Sequence, residues 1–470
     1  MKKNCVIAFS SLMLSCALYA QNKRMNVVFI MADDLGLNDT GYTGSDFYET
    51  PNIDKLSEEG MVFTNAYSSA ANSAPSRACF MSGMYTPRHG IFTVSPPDRG
   101  DRTKRKLIPI PNVEDLRKDI PTMGELFKRN GYRCGHVGKW HLGDDEDGTG
   151  PLSRGFDVNV AGGRAGTPYS YYYPYCNNKG MCHIGLEKGK QGEYLTDRLT
   201  DEAVAFIKES AHGEKPFFLY LAHHAVHTPI TAPKSIVDKY EKKAKGKYHT
   251  NSVYAAMVET LDNSVGKICG IIDSLGISDN TIIIFNSDNG GSEPITDNYT
   301  VRGGKGMPYE GGNRVPLIVK WPDVTKAGGV SDCPVNNIDF FSTFQMYLEG
   351  KIGDELDGAD IYPLLNNEKS SIERDLFWHF PAYLESYTDN GKGFRAKPYT
   401  SVRSGKWKLI YYYENENTEL FDLDKDPLEE YDLSCVNEEM VSILKKKIFS
   451  WIERVNAPVP TKLNPYYEGD

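Results

Sequence analysis

The stretch Met25-Asn26-Val27-Val28-Phe29-Ile30-Met31-Ala32 decides the fold class. Almost every residue in it is apolar, so neither side of it suits water. It reads as a strand buried on both faces, the habit of parallel sheets, rather than as an alternating edge strand. It runs straight into Asp33-Asp34-Leu35-Gly36. Open α/β sheets carry their sites at the carboxyl ends of their strands. Two adjacent carboxylates there suit a hard cation, because Ca²⁺ and Mg²⁺ take oxygen ligands. Standing alone, the pair would read as a solvated turn or a helix cap.

A second run of the same kind, Thr281–Ser287, ends in Asp288-Asn289-Gly290-Gly291. Two apolar strands far apart in sequence, each delivering oxygen ligands at its C-terminal end, favour a shared metal site. Between them the chain alternates. Residues 121–130 read as a helix opened by Pro121 and stopped by Gly131. Residues 132–137 and 216–222 read as strands. Leu199–Glu209 is amphipathic, and Val253, Met257, Leu261, Val265, Ile268 and Ile272 mark a long helix by their three- and four-residue spacing. This alternation predicts a large, mostly parallel sheet sandwiched by helices. From residue 353 the pattern changes. Three short strands, at 401–404, 406–413 and 419–423, precede an amphipathic helix over Glu438–Val455. They predict a smaller C-terminal α+β domain, 353–470, with an antiparallel sheet and a terminal helix, behind an N-terminal catalytic domain of 21–352.

Composition narrows the function classes. The net charge is −10, which argues against wrapping nucleic acid, so any capture of an anion depends on a local cationic pocket. Residues 1–20 carry Lys2 and Lys3, an apolar run from Val6 to Leu14 and small residues up to Ala20, the plan of a secretory signal peptide. The expected location is the periplasm. A lipoprotein anchored at Cys16 ranks second, because Met13-Leu14-Ser15 is a poor lipobox. No later stretch is long enough to insert stably in a membrane. Of nine cysteines, none forms a CxxC pair, so zinc is not expected. Cys176 and Cys182 either close a small loop in an oxidising compartment or stay as thiols. The Tyr- and Gly-rich segment Gly162–Cys182 lacks a period and reads as a long surface loop, its tyrosines suited to stacking on sugar rings or to packing on the body.

The chemistry centres on Ser73-Ala74-Pro75-Ser76-Arg77-Ala78-Cys79-Phe80-Met81-Ser82-Gly83. Pro75 suits a first helical turn. Ser73 is then expected just ahead of a helix N-terminus, where free N–H groups and the dipole favour negative charge. Arg77 can clamp an oxyanion. Further cations and imidazoles follow other strand ends: Gly138-Lys139-Trp140-His141-Leu142-Gly143, then His223-His224-Ala225-Val226-His227-Thr228-Pro229, then Gly303-Gly304-Lys305-Gly306 and Tyr309–Pro316. His223 and His224 take no assigned role, and Glu310 and Arg314 read as structural.

The pattern Ser-x-Pro-Ser-Arg followed by Ser-Gly resembles the signature of the type I sulfatases, a formylglycine-dependent family within the alkaline phosphatase superfamily. Phe80 and Ser82 stand where Leu and Thr are commoner, and Ser at 73 is similar to the bacterial serine-type subgroup. The Lys139–His141 string, His227, the Lys305 block, Leu356-Asp357-Gly358, Trp378-His379-Phe380-Pro381 and Leu420-Phe421-Asp422-Leu423 resemble further family landmarks, in order along the chain. The resemblance implies that Ser73 is the modified residue, oxidised to formylglycine by an anaerobic sulfatase-maturating enzyme, and that one Ca²⁺ is held by Asp33, Asp34, Asp288, Asn289 and residue 73. It implies that the hydrated aldehyde attacks sulfur while Arg77, Lys139 and Lys305 hold the sulfate charge. His227 protonates the leaving oxygen and His141 assists the second step. The expected substrate is a sulfated sugar of a polysaccharide or glycosaminoglycan, with His379 and the Gly162–Cys182 loop expected to touch it.

Two other readings compete. One is a metal-dependent phosphatase or phosphodiesterase of the same superfamily, with a plain serine nucleophile. The other is a non-catalytic binder of sulfated glycans, which applies if Ser73 is never oxidised.

Overall fold

Strand β1 (Asn26–Ala32) is buried at all seven positions, as a run without a polar face must be. In the computed structural model, which describes residues 24–387 and 393–469, it lies inside an eight-stranded sheet. The other members are β2 (Met61–Phe63), β3 (Arg133–Gly138), β4 (Val158–Val160), β5 (Phe217–Ala222), β6 (Thr281–Ser287), β7 (Leu317–Lys320) and β8 (Gly329–Ser331). The spatial order is β4-β3-β5-β1-β6-β7-β2-β8. The pairings from β4 through to β6 are all parallel, whereas β7 runs antiparallel to both β6 and β2. The expected sheet is therefore present, mixed at one end by three strands of three or four residues.

Successive side chains of a strand point to opposite faces, and β1 shows what each face meets. Val28, Ile30 and Ala32 join one core cluster with α1 (Pro51–Glu59), α4 (Leu195–Ala211) and α5 (Ser252–Ser274). Val27, Phe29 and Met31 join the other with α2 (Ser73–Ser82), α3 (Met123–Arg129) and α6 (Asp339–Glu349). Helix α3 opens two residues later than Pro121 suggests, because Thr122 and Glu125 form a reciprocal capping box.

The C-terminal part forms a four-stranded antiparallel sheet: β9 (Asp375–Phe380), β10 (Tyr399–Ser404), β11 (Trp407–Tyr412) and β12 (Thr418–Asp422), in that order. Its first strand carries no alternation and was absent from the expected meander. Helix α7 (Glu438–Arg454) covers one face through Leu444, Ile448 and Trp451. The other face packs on Tyr67 of the N-terminal part, and Trp378 donates a hydrogen bond to Ser68 O at 2.8 Å. Cys176 and Cys182 form a disulfide. The expected signal peptide and Cys16 lie outside the described residues. Among the described residues, no helix is long and apolar enough to cross a membrane.

Candidate active site

Strands β1 and β6 are hydrogen-bonded neighbours in register, Ala32 opposite Ser287, so the residues that follow each emerge side by side. Asp33, Asp288 and Asn289 are wholly buried and Asp34 nearly so. Asp34 takes a left-handed backbone, φ 64°. Its N–H donates to Asp288 Oδ1 at 3.2 Å, and the next N–H to Ser287 Oγ at 3.1 Å. The two strand ends are thus laced together by Asp34, Asp288 and their neighbours.

Helix α2 brings Ser73 to them. Ser73 is the first residue of that helix, with Asn72 as its N-cap, one step inside the position expected ahead of it; Pro75 remains in the first turn, where its missing N–H is harmless. Ser73 Oγ lies 3.1 Å from Asp33 Oδ1 and 3.2 Å from Asn289 Oδ1. The Asn289 amide is oriented by its own NH₂, which donates to Asp34 Oδ1 at 2.8 Å and Gly290 O at 3.0 Å. A hydroxyl has one hydrogen to give, so it cannot bond both oxygens. The buried oxygens of Ser73, Asp33 and Asn289, gathered within hydrogen-bond distance, form an all-oxygen donor set of the kind that suits a hard cation.

Cations of the chain surround this set. Lys139 Nζ stands 2.9 and 2.8 Å from the Asp33 oxygens, and Lys305 Nζ stands 2.7 and 2.8 Å from those of Asp34. Arg77 Nε donates to Asp288 Oδ2 at 2.9 Å, and Nη1 donates to Lys139 O at 3.1 Å. Burial alone would raise the Asp34 carboxyl, but Lys305, His227 and Lys139 outweigh it and hold it well below its usual range. Burial likewise opposes the charge on Lys305, yet Asp34 and Asp33 leave it raised. Lys139 is pulled down by burial, which Asp33 only partly offsets.

His227 Nδ1 lies 2.7 Å from Thr228 O. A carbonyl only accepts, so Nδ1 carries the hydrogen and Nε2 faces inward, 3.6 Å from Asp34 Oδ2. Burial and then Lys305 push its pKa down to about 3. His141 is half-buried, its ring against Gly166, where any side chain would collide with it. Its Nδ1 has no partner among the described residues.

Sequence reasoning missed His224 and Tyr220. His223 bonds Ser264 on α5 at 2.8 Å and is structural. His224 is buried with neither ring nitrogen partnered among the described residues, and its titration is depressed by burial and by His183, Lys139, Arg77 and His227. The alternation at the end of β5 was the available signal: one of two adjacent histidines had to turn inward. Tyr220 OH lies 3.4 Å from Arg77 Nη1.

His379 requires correction. It sits on β9 with Nδ1 2.7 Å from Thr400 Oγ1 and Nε2 3.0 Å from Pro458 O, buried in the C-terminal core, so no ring nitrogen is left for a sugar. In the Gly162–Cys182 loop, Tyr171 and Tyr175 are buried in the main core, and Tyr171 OH lies 2.7 and 2.8 Å from the carbonyls of His224 and His227, with one hydrogen to share between them. Tyr171 thus braces the histidine segment, and Tyr175 OH donates to Glu193 at 2.8 Å, so neither is free to stack on a ligand.

The chain matches the family model described as Sulfatase over residues 25–349, and the one described as N-sulphoglucosamine sulphohydrolase, C-terminal, over residues 304–456. It is 31% identical to a sulfatase of Formosa agariphila, over 93% of this chain and 90% of that one. It is also 31% identical to the N-acetylgalactosamine-6-sulfatase of Mus musculus, over 90% and 84%. The crystal structure of Ps i-CgsB in complex with k-i-k-neocarrahexaose superposes with a TM-score of 0.74 at 30% identity, covering 91% of this chain and 92% of that one.

Proposed function

The chain belongs to the sulfatase family of sulfuric ester hydrolases, and from that premise we propose that it desulfates sugars of a sulfated polysaccharide, using formylglycine made from Ser73 and one calcium ion. The observation that carries the reading is the meeting of Ser73 Oγ with Asp33 Oδ1 and Asn289 Oδ1 at a buried helix N-terminus. The glycan substrate is supported by the relatives, one named for N-acetylgalactosamine-6-sulfate and one crystallised with a neocarrahexaose.

Oxidation of Ser73 removes two hydrogens from its CH₂OH group, the electrons passing to an anaerobic sulfatase-maturating enzyme, and hydration of the aldehyde supplies the nucleophile. Asp33, Asp34, Asp288 and Asn289, with the oxygen at 73, would hold the calcium ion, which when bound supplies positive charge for the reacting oxygens. Lys139 and Lys305 bind the sulfate oxygens, exchanging their present carboxylate partners for the substrate's. Arg77 fixes Asp288 from behind. His227, its Nδ1 committed to Thr228, presents Nε2 to the leaving oxygen; Nε2 carries no hydrogen in the resting site, so it first takes up a proton from water as the anionic ester binds, and then passes that proton to the leaving oxygen. His141 takes the proton from the group at 73 that releases sulfate. Export to the periplasm is part of the proposal, supported by the amino-terminal pattern and by the Cys176–Cys182 disulfide.

Hydrolysis of an aryl sulfate and an aryl phosphate, by matured wild type and by Ser73→Ala, tests the reading. Preference for sulfate, abolished in a variant that keeps its fold, is expected. Phosphate hydrolysis by an unmodified serine would instead mark a phosphatase. Retained binding of sulfated glycan with no turnover would mark a binder.

A further inference from the structure

The hairpin formed by Leu384–Glu385 and Phe394–Ala396 brings one cation to the edge of the catalytic cluster that none of the steps above uses. Arg395 packs against Gly306, the neighbour of Lys305. Gly306 has φ 84°, and a Cβ there would lie 2.8 Å from Arg395 Nε and 2.9 Å from Leu384 Cδ1. The guanidinium lies over the Tyr387 ring, 3.8 Å from its centroid. Tyr387 OH in turn accepts from Ser292 Oγ at 3.3 Å, on the segment that follows Asp288 and Asn289. Lys305 interacts electrostatically with Tyr387, and Arg395 with Asp34, so this hairpin and the sulfate-binding lysine share one electrostatic environment.

Arg395 lacks the anion that such a group requires. Its Nε is buried without a hydrogen-bond partner, and no carboxylate pairs with it among the described residues. Among the described residues, the hairpin's acid Glu385 pairs through Oε1 with Arg99, and Lys397 pairs with Glu414 at 2.8 Å. Burial, and then the like charge of Arg99, lower the Arg395 titration. Arg395 as a whole is half-buried, and its buried, unpartnered Nε–H leaves it free to donate to an anion that enters the site. A guanidinium is a planar fork that fits carboxylate or sulfate oxygens, and the Tyr387 ring beneath this one helps to hold it in place.

We propose that Arg395, backed by Tyr387, binds a second anionic group of the substrate, beside the sulfate that is removed, and so selects sugars that carry a carboxylate or a further sulfate. This subsite rests on the sulfatase reading of the neighbouring cluster. Arg395 is a specificity-determining residue in it, and neither a ligand of the ion nor a donor of the proton.

The test compares matured wild type, Arg395→Ala and Arg395→Lys on 4-nitrophenyl sulfate and on oligosaccharides bearing one sulfate, two sulfates, or one sulfate and a uronic carboxylate. In Arg395→Ala the ratio of kcat/KM for a doubly anionic over a singly anionic oligosaccharide is expected to fall about 10- to 100-fold, carried by KM. Arg395→Lys is expected to restore part of it. The arm whose ratio falls, disulfated or uronate-bearing, identifies the anion. An unchanged ratio in both arms with an active wild type overturns the subsite alone, as does an equal loss on every substrate. A wild type that releases sulfate from none of them overturns the hydrolytic reading and the subsite with it.

Discussion

Arg77 binds Asp288 through a single carboxylate oxygen: Nε lies 2.9 Å and Nη2 2.8 Å from Oδ2, with both side chains about 1% exposed or less. Oδ1 of the same carboxylate is left for the N–H of Asp34. The arginine therefore fixes the ligand from behind, and removing it strands a buried carboxylate. Arg77→Ala is expected to lose about 3–5 kcal/mol of stability together with most of kcat. Arg77→Lys is expected to recover little, since a point charge cannot span Asp288 and the Lys139 carbonyl together. Denaturant unfolding with sulfate-release kinetics checks both; native-like stability in Arg77→Ala would contradict this role.

Calcium should act on stability as well as on rate. The residues proposed to hold it are already gathered, each aspartate neutralised by Lys139, Lys305 or Arg77, so chelated protein is expected to stay folded and to gain stability as ion is added. At a hundredfold excess over Kd the gain is about 2.7 kcal/mol. Thermal unfolding in chelator and in calcium is expected to differ for wild type and to coincide for Asp33→Ala. Identical curves for the wild type would remove the ion from the account.

A second buried charge cluster joins the domains under the Lys305 loop. Lys408 of β11 bridges Glu310 at 3.0 Å and Glu429 at 2.8 Å, and Tyr67 OH donates to Glu310 at 2.6 Å. Glu310 N in turn donates to Glu429 at 2.7 Å. Lys408→Met leaves two buried acids with one cation fewer and is expected to cost about 3–5 kcal/mol. Adding Glu310→Gln should return part of that loss, which a double-mutant cycle measures. Strict additivity of the two losses would contradict the coupling.

Acid should destabilise the protein through histidines that never meet substrate. Burial pushes His379 down to about 4, and burial with Arg117 nearby pushes His89 down to about 3. Below the unfolded value near 6.5 the unfolded chain takes up a proton that the native chain refuses. Stability then falls as pH drops from about 6.5 toward 4, by up to about 1.4 kcal/mol per pH unit for each. His379→Gln is expected to flatten that slope without changing the substrate KM. A raised KM with an unchanged slope would return His379 to the sugar site.

The ligand pairs were legible because long apolar strands ending in acids are uncommon, and each strand end could be read locally. That β1 and β6 are neighbours was not legible, since pairing between residues 255 apart leaves no local mark. Strand β9 escaped notice because Leu376 through Phe380 are buried on both faces, leaving no period of two. The same burial hid His379: its place in a motif was visible, whereas the hydrogen bonds that occupy its ring come from Thr400 and Pro458. Arg395 was silent for a different reason. A lone arginine on a three-residue strand means nothing until Gly306 is seen against it.

Mass spectrometry of the peptide carrying Ser73, from protein made with and without an anaerobic maturating enzyme, tests the central claim most directly. The account predicts a peptide two hydrogens lighter in the matured protein only, appearing together with sulfate release. An unmodified serine in protein that hydrolyses sulfate esters at full rate would contradict it.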